Sequence, residues 1–168
     1  MSGDDYQTIL YDVVDGVATL TMHRPERRNT MSNEMLLEVG ELLRKVAADP
    51  SVRLLVLTGT GSSFCPGADI NAVASGSSSR ERQLGPEDFQ VPAILHDMAA
   101  VTVAAINGAC AGAGLGWAAA CDVRLATRSA KFNSAFLDVG VAGDMSSPWS
   151  LSRLLGAAKA RELFFIPD

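Results

Sequence analysis

Two runs of small residues have the types and spacing to do chemistry in this chain. The first is Ser62-Ser63-Phe64-Cys65-Pro66-Gly67-Ala68-Asp69-Ile70, and the second is Asn107-Gly108-Ala109-Cys110-Ala111-Gly112-Ala113-Gly114-Leu115-Gly116. Each follows an apolar run that reads as a strand, Leu54 to Thr58 and Val101 to Ile106, and each precedes a segment able to be helical. Glycine and alanine let a backbone come close to a ligand, and amides at a helix N-terminus have no internal acceptor. Taken singly, each turn reads as packing, with Gly59, Gly61, Gly108 and Gly112 serving tight turns. As a facing pair they would aim two N–H groups at one carbonyl oxygen, and each such donor is worth about 3 kcal/mol to a developing oxyanion in a dry pocket.

The elements that must position these turns are legible in outline. Thr8 to Tyr11 and Val17 to Met22, parted by Asp15-Gly16, predict a hairpin. Met31, Met35, Leu36, Val39, Leu42, Leu43 and Val46 recur at helical spacing, with Ser32 as cap and Pro50 as stop. Leu54 to Leu57 is continuously apolar, as in a buried parallel strand. Strand and helix then alternate: a helix from about Pro86 to Ala99, a strand from Val101, a helix over Gly112–Ala120, and a strand over Val123–Ala126. Ser147 as cap and Pro148 in the first turn open a helix to Leu155, Gly156 breaks it, and Ala157 to Phe165 forms another. The polar, small-residue stretch from Ala74 to Arg82 reads as a mobile loop. The alternation predicts an α/β fold with crossover connections.

Composition bounds the partners. The 168 residues are 48% hydrophobic and 20% charged, enough for one full core. A net charge of −5 gives no electrostatic reason to expect nucleic acid, yet local arginines or helix N-termini can still hold a phosphate. No apolar run reaches membrane-spanning length, and the acidic start Met-Ser-Gly-Asp-Asp is unlike a leader, so a cytoplasmic protein is expected. Cys65, Cys110 and Cys121 sit in apolar or turn settings and read as reduced, buried thiols. His23 and His96 lack partners at metal-ligand spacing, and no metal is expected.

The two turns, together with His23-Arg24-Pro25-Glu26-Arg27-Arg28-Asn29, Cys121-Asp122 and Leu151-Ser152-Arg153-Leu154-Leu155-Gly156, occur in an order that resembles the crotonase superfamily, the enoyl-CoA hydratase/isomerase family. The resemblance runs from about Tyr6 to the end. It implies a single core domain over residues 1–168, a crotonase-like spiral of repeated β-β-α units, with the family's C-terminal helical region largely missing. It also implies an acyl-CoA thioester as substrate, with coenzyme A part of that substrate and no separate cofactor, no membrane, and a homotrimer or hexamer at full length. By resemblance the oxyanion donors are the amides of Ala68 and Ala113, with Asp69, Ile70, Arg27 and Arg28 near the bound thioester and its coenzyme A.

The acids and bases depart from the hydratases. A hydratase of this family uses two glutamates to hold water and move protons; the matching positions here are Gly116 and Phe136, neither of which moves a proton. Asp144 matches a site that bears a functional aspartate in other branches, as a proton shuttle in certain isomerases and a nucleophile in a chlorobenzoyl-CoA dehalogenase. With Ser147 as the cap, Asp144 lies three residues too early to cap a helix, which favours a functional role. Phe136 would then wall the acyl pocket and raise the pKa of the aspartate by excluding water. Asp69 reads as a helix cap, Asp122 as structural, Cys65 as packing, and Trp117 and Trp149 as core. The reading is an isomerase-type or related acyl-CoA enzyme using Asp144. Its alternatives are a hydratase in family only and a non-catalytic acyl-CoA-binding homologue. A dinucleotide site built on Gly112 to Gly116 is disfavoured, because Trp117 stands where a glycine is needed; the serine-hydrolase elbow is absent.

Overall fold

A computed structural model describes residues 6–69, 84–137 and 140–166. Strands β1 (Ile9–Val14) and β2 (Val17–Met22) form the expected antiparallel hairpin, with β1 shifted and longer than the sequence suggested. Asp15 (φ 52°) and Gly16 (φ 80°) both adopt the left-handed conformation that a two-residue turn needs to follow the strand twist. Helix α1 (Asn33–Ala47) starts where Ser32 Oγ accepts a hydrogen bond from the Met35 amide at 3.2 Å. Its apolar face, including Met35, Val39, Leu42 and Leu43, is buried in the main core.

Beyond the hairpin the chain winds as a spiral. β3 (Leu54–Gly59), β5 (Val101–Ile106) and β7 (Val123–Ala126) extend β2 by parallel pairing, giving the order β1-β2-β3-β5-β7. β4 (Ser63–Cys65), β6 (Ala109–Ala111) and β8 (Phe132–Asn133) form a second parallel sheet in the order β4-β6-β8. Each turn places one strand in each sheet and then returns through a helix: α2 (Val91–Asp97) before β5, α3 (Gly112–Ala120) before β7, and α4 (Ser147–Leu155) after β8, followed by α5 (Ala157–Phe165). This is the spiral of β-β-α units that the sequence pointed to. All nine residues of α3 are buried, and none carries a charge, as befits a helix enclosed on every side.

Two local readings are corrected. The helix expected from Pro86 to Ala99 is a 3-10 turn over Pro86–Gln90 followed by α2, which ends at Asp97. Pro92 has no N–H and its ring crowds the carbonyl four residues back, so one regular α-helix cannot pass through it. Trp117 is fully buried as expected, whereas Trp149 is 44% exposed: it lies on α4 with its ring against His96 and under the Arg153 guanidinium. The Ala74–Arg82 loop lies outside the described residues.

Candidate active site

The two small-residue turns meet because β4 and β6 are neighbours. Their register pairs Ser63 with Ala109 and Cys65 with Cys110, so the backbone that follows each strand runs beside the other. Two asparagines hold the approach. Asn107 Nδ2 donates to the carbonyls of Gly59 (2.8 Å), Gly61 (2.9 Å) and Ser63 (3.2 Å). The buried Asn29 donates from Nδ2 to Thr60 O (2.9 Å) and Ser63 O (2.8 Å), while its Oδ1 accepts from the Arg24 amide at 2.9 Å. Sequence reasoning quoted both asparagines without giving them a task. The available signal was a side-chain amide beside a strand end, where carbonyls of a tight turn lack partners.

At the meeting point glycine is required. Gly67 (φ 108°) and Gly112 (φ 50°) both lie in the left-handed region, and a Cβ on Gly112 would stand 3.6 Å from the Gly67 Cα. Gly67 O accepts from the Met31 amide at 2.8 Å. In a trans peptide the carbonyl and the next N–H point in opposite directions, so the Ala68 N–H faces away from Met31. It has no hydrogen-bond partner among the described residues, because the Met31–Ala68 bridge uses the Asp69 amide and the Gly67 carbonyl instead. Ala113 is the second residue of α3 and so has no intrahelical acceptor; the preceding Ala111 offers no capping side chain. Ala68 is exposed and Ala113 is buried.

Gly116 on α3 packs against the segment that carries Asp144. A Cβ on Gly116 would lie 2.6 Å from Met145 O and 2.8 Å from Met145 Cβ, so no side chain fits there unless that backbone moves. The space of a glutamate is filled by the segment that carries Asp144. Met145 (φ 46°) and Ser146 (φ 55°) turn the chain sharply into α4. Ser147 is the first residue of that helix, and its hydroxyl donates to Asp144 O at 2.6 Å, so Ser146 occupies the cap position assigned to Ser147 from sequence. The Asp144 carboxylate has no hydrogen-bond partner among the described residues. Although the residue is exposed, partial burial of its carboxyl raises the pKa from its ordinary 3.8. Phe136 is 5% exposed and stacks on Phe164, with 5.9 Å between ring centroids.

The other sequence candidates are placed as follows. Arg27 and Arg28 lie at the surface, in and just after a 3-10 turn over Pro25–Arg27. Asp69 is 8% exposed and pairs with Arg24 at 3.3 Å, and Ile70 lies outside the described residues. Asp122 is structural as expected: it accepts from the amide (2.8 Å) and hydroxyl (2.9 Å) of Thr102 and ties α3 to β5. Cys65, Cys110 and Cys121 are free and buried, and burial pushes the Cys65 thiol up to about 11 and the Cys121 thiol to about 12, far from a reactive thiolate. Among the described residues no cluster of three or more His, Cys, Asp or Glu could hold a metal ion.

The chain is similar to known proteins. The chain is 39% identical over 159 residues to 1,2-epoxyphenylacetyl-CoA isomerase of Escherichia coli strain K12, covering 92% of this chain and 61% of the isomerase. It is 37% identical over 166 residues to 4-chlorobenzoyl coenzyme A dehalogenase-1 of an Arthrobacter species, covering 96% of this chain and 60% of the dehalogenase. The chain therefore spans about 60% of the length of these curated relatives. A solved structure from Pseudomonas aeruginosa superimposes with a TM-score of 0.85 at 35% identity, over 98% of this chain and 71% of that one. The family model for enoyl-CoA hydratase/isomerase matches residues 12–167, and the chain belongs to that family.

Proposed function

We propose that this chain is the core of an acyl-CoA enzyme that holds a thioester carbonyl oxygen between the amides of Ala68 and Ala113 and uses Asp144 as its acid–base group. The observation that carries the reading is the close approach of Gly67 and Gly112, which brings two amides without backbone partners to the ends of adjacent strands. Such donors act on the charge that develops as a thioester becomes an enolate or a tetrahedral adduct. Asp144 is the carboxylate whose segment fills the space beside Gly116, and desolvation suits it to exchanging a proton. Gly116 and Phe136 make two-glutamate hydration the weaker reading. The two relatives named above are named for 4-chlorobenzoyl-CoA and 1,2-epoxyphenylacetyl-CoA, while others at 32–34% identity are named hydratases. Arg27 and Arg28 are proposed to meet coenzyme A phosphates at the surface. At full length the assembly is proposed to be a homotrimer or hexamer in the cytoplasm.

The test is a panel of 2-enoyl, 3-enoyl, dienoyl and aromatic acyl-CoA thioesters incubated with the protein and read by mass spectrometry. The reading expects one class to turn over, and Asp144→Asn to abolish that turnover while leaving thioester affinity nearly intact. If no thioester is converted but several bind, the chain is an acyl-CoA-binding homologue without catalysis.

A further inference from the structure

The loop from Arg24 to Met31 holds both ends of the first glycine turn. At the entrance, Asn29 Nδ2 bonds the carbonyls of Thr60 and Ser63. At the exit, Met31 brackets Ala68: its amide donates to Gly67 O at 2.8 Å, and its carbonyl accepts from the Asp69 amide at 2.9 Å. In a parallel bridge of this kind the bracketed residue points its own N–H away from the partner strand. The direction of the Ala68 amide is therefore set by the bonds of its two neighbours. One side chain ties the two strands of that bridge together. The Arg24 guanidinium donates from Nη1 to Thr30 O at 2.6 Å, on the Met31 side, and from Nη2 to Asp69 Oδ2 at 3.3 Å, on the Ala68 side. Thr30 Oγ1 lies 3.4 Å from the same carboxylate oxygen. The side chains are 18% exposed for Arg24 and 10% for Asp69, so water and salt screen this pair less than a surface one. The Arg24 backbone is fixed in turn by Asn29, whose amide bonds Arg24 O and whose Oδ1 accepts from the Arg24 amide, each at 2.9 Å.

We propose that Arg24 and Asp69 are positioning residues for the oxyanion donor at Ala68. By joining Thr30 O to the Asp69 carboxylate, the guanidinium locks the peptide whose N–H meets the thioester oxygen; this rests on the thioester reading above. Both residues act through the backbone, and neither is a catalytic group. A donor helps only where its direction is fixed before charge develops, and a misplacement of about 1 Å can cost about 10²-fold in rate. A planar fork reaches both acceptors at once, so lysine, a single point of charge, cannot take the place of Arg24. Asparagine at position 69 keeps an oxygen for the guanidinium, whereas alanine keeps none.

The test is carbon-13 NMR of benzoyl-CoA labelled at the thioester carbonyl, bound to the native protein and to Asp69→Ala, Asp69→Asn and Arg24→Lys. Calorimetry gives the affinities, and steady-state kinetics are run on the thioester that the native protein converts. Asp69→Ala and Arg24→Lys are expected to lose about half of the downfield carbonyl shift, because one of two donors is misaimed while the Ala113 amide is untouched. Their kcat should fall about 10- to 100-fold with KM and Kd within about 3-fold of native. Asp69→Asn should keep most of both the shift and the rate. Arg24→Lys keeps the test usable if Asp69→Ala misfolds. A native carbonyl shift and native kcat in folded Asp69→Ala and Arg24→Lys, whatever their urea midpoints, overturn the positioning role and leave the thioester reading standing. A saturably bound thioester whose carbonyl stays at its free position in the native protein overturns that reading, and this role with it.

Discussion

At the scale of single residues, Asp144 and Gly116 carry the account. Asp144→Asn keeps the size and removes the base, so kcat should fall by about 10²- to 10⁴-fold with little change in thioester affinity; steady-state kinetics alongside calorimetry separates the two. The pH dependence follows from the direction of the shift. A base acts ionised, so activity should decline as pH falls through the Asp144 pKa, and a raised pKa puts that acidic limb above the ordinary 3.8. The limb should be missing from whatever activity Asp144→Asn retains. Gly116→Glu would restore a hydratase carboxylate by sequence, but its Cβ would fall 2.6 Å from Met145 O. It is expected to lower stability by about 1–3 kcal/mol in urea unfolding and to bring no hydration of a 2-enoyl-CoA. The sequence made both positions visible as departures from a pattern. It did not disclose that Met145 occupies the vacated space, because that contact joins two segments with no shared periodicity.

At the scale of elements, what could be read ahead depended on local chemistry. Helix α1 was legible because its cap, its apolar stripe and its stop all lie within the chain itself. Ser32→Ala should cost about 1 kcal/mol of stability, measured by denaturant midpoint. The second sheet was not legible: β4 and β6 are three residues each and β8 is two, too short for any alternation to register. Their pairing nevertheless brings the glycine turns together. The segment from Pro86 was read as one helix although Pro92 separates a 3-10 turn from α2. The start of α4 was misplaced by one residue because Ser147 bonds back to Asp144 O from inside the helix. Asn107 is the element-scale control on the site, as one side chain gathers three carbonyls of the turn entering β4. Asn107→Ala should destabilise the fold by about 1–3 kcal/mol and weaken thioester binding, whereas Ser32→Ala should leave binding unchanged; calorimetry on both variants checks the contrast.

For the molecule as a whole, part of the uncovered apolar surface lies on the last strands and the last helix of the spiral. Val123 and Leu125 on β7, Phe132 on β8, and Phe165 and Ile166 at the end of α5 are between 42% and 67% exposed. β7 and β8 are the last strands of their sheets, so their outer edges also have no neighbouring strand. Such a surface is what subunit packing covers, and a full-length form should appear as the proposed trimer or hexamer in light scattering; a well-behaved monomer of that full-length form would refute it. The general class of fold was readable from alternation and motif order, while the convergence of the glycine turns after β4 and β6 required the three-dimensional register. The central claim is that this convergence holds a thioester carbonyl between two amides. It is tested most directly by carbon-13 NMR of benzoyl-CoA labelled at the thioester carbonyl. The account predicts that binding moves the carbonyl resonance downfield, equally in the native protein and in Asp144→Asn, because both backbone donors are retained. A saturably bound thioester whose carbonyl resonance stays at its free position would contradict it.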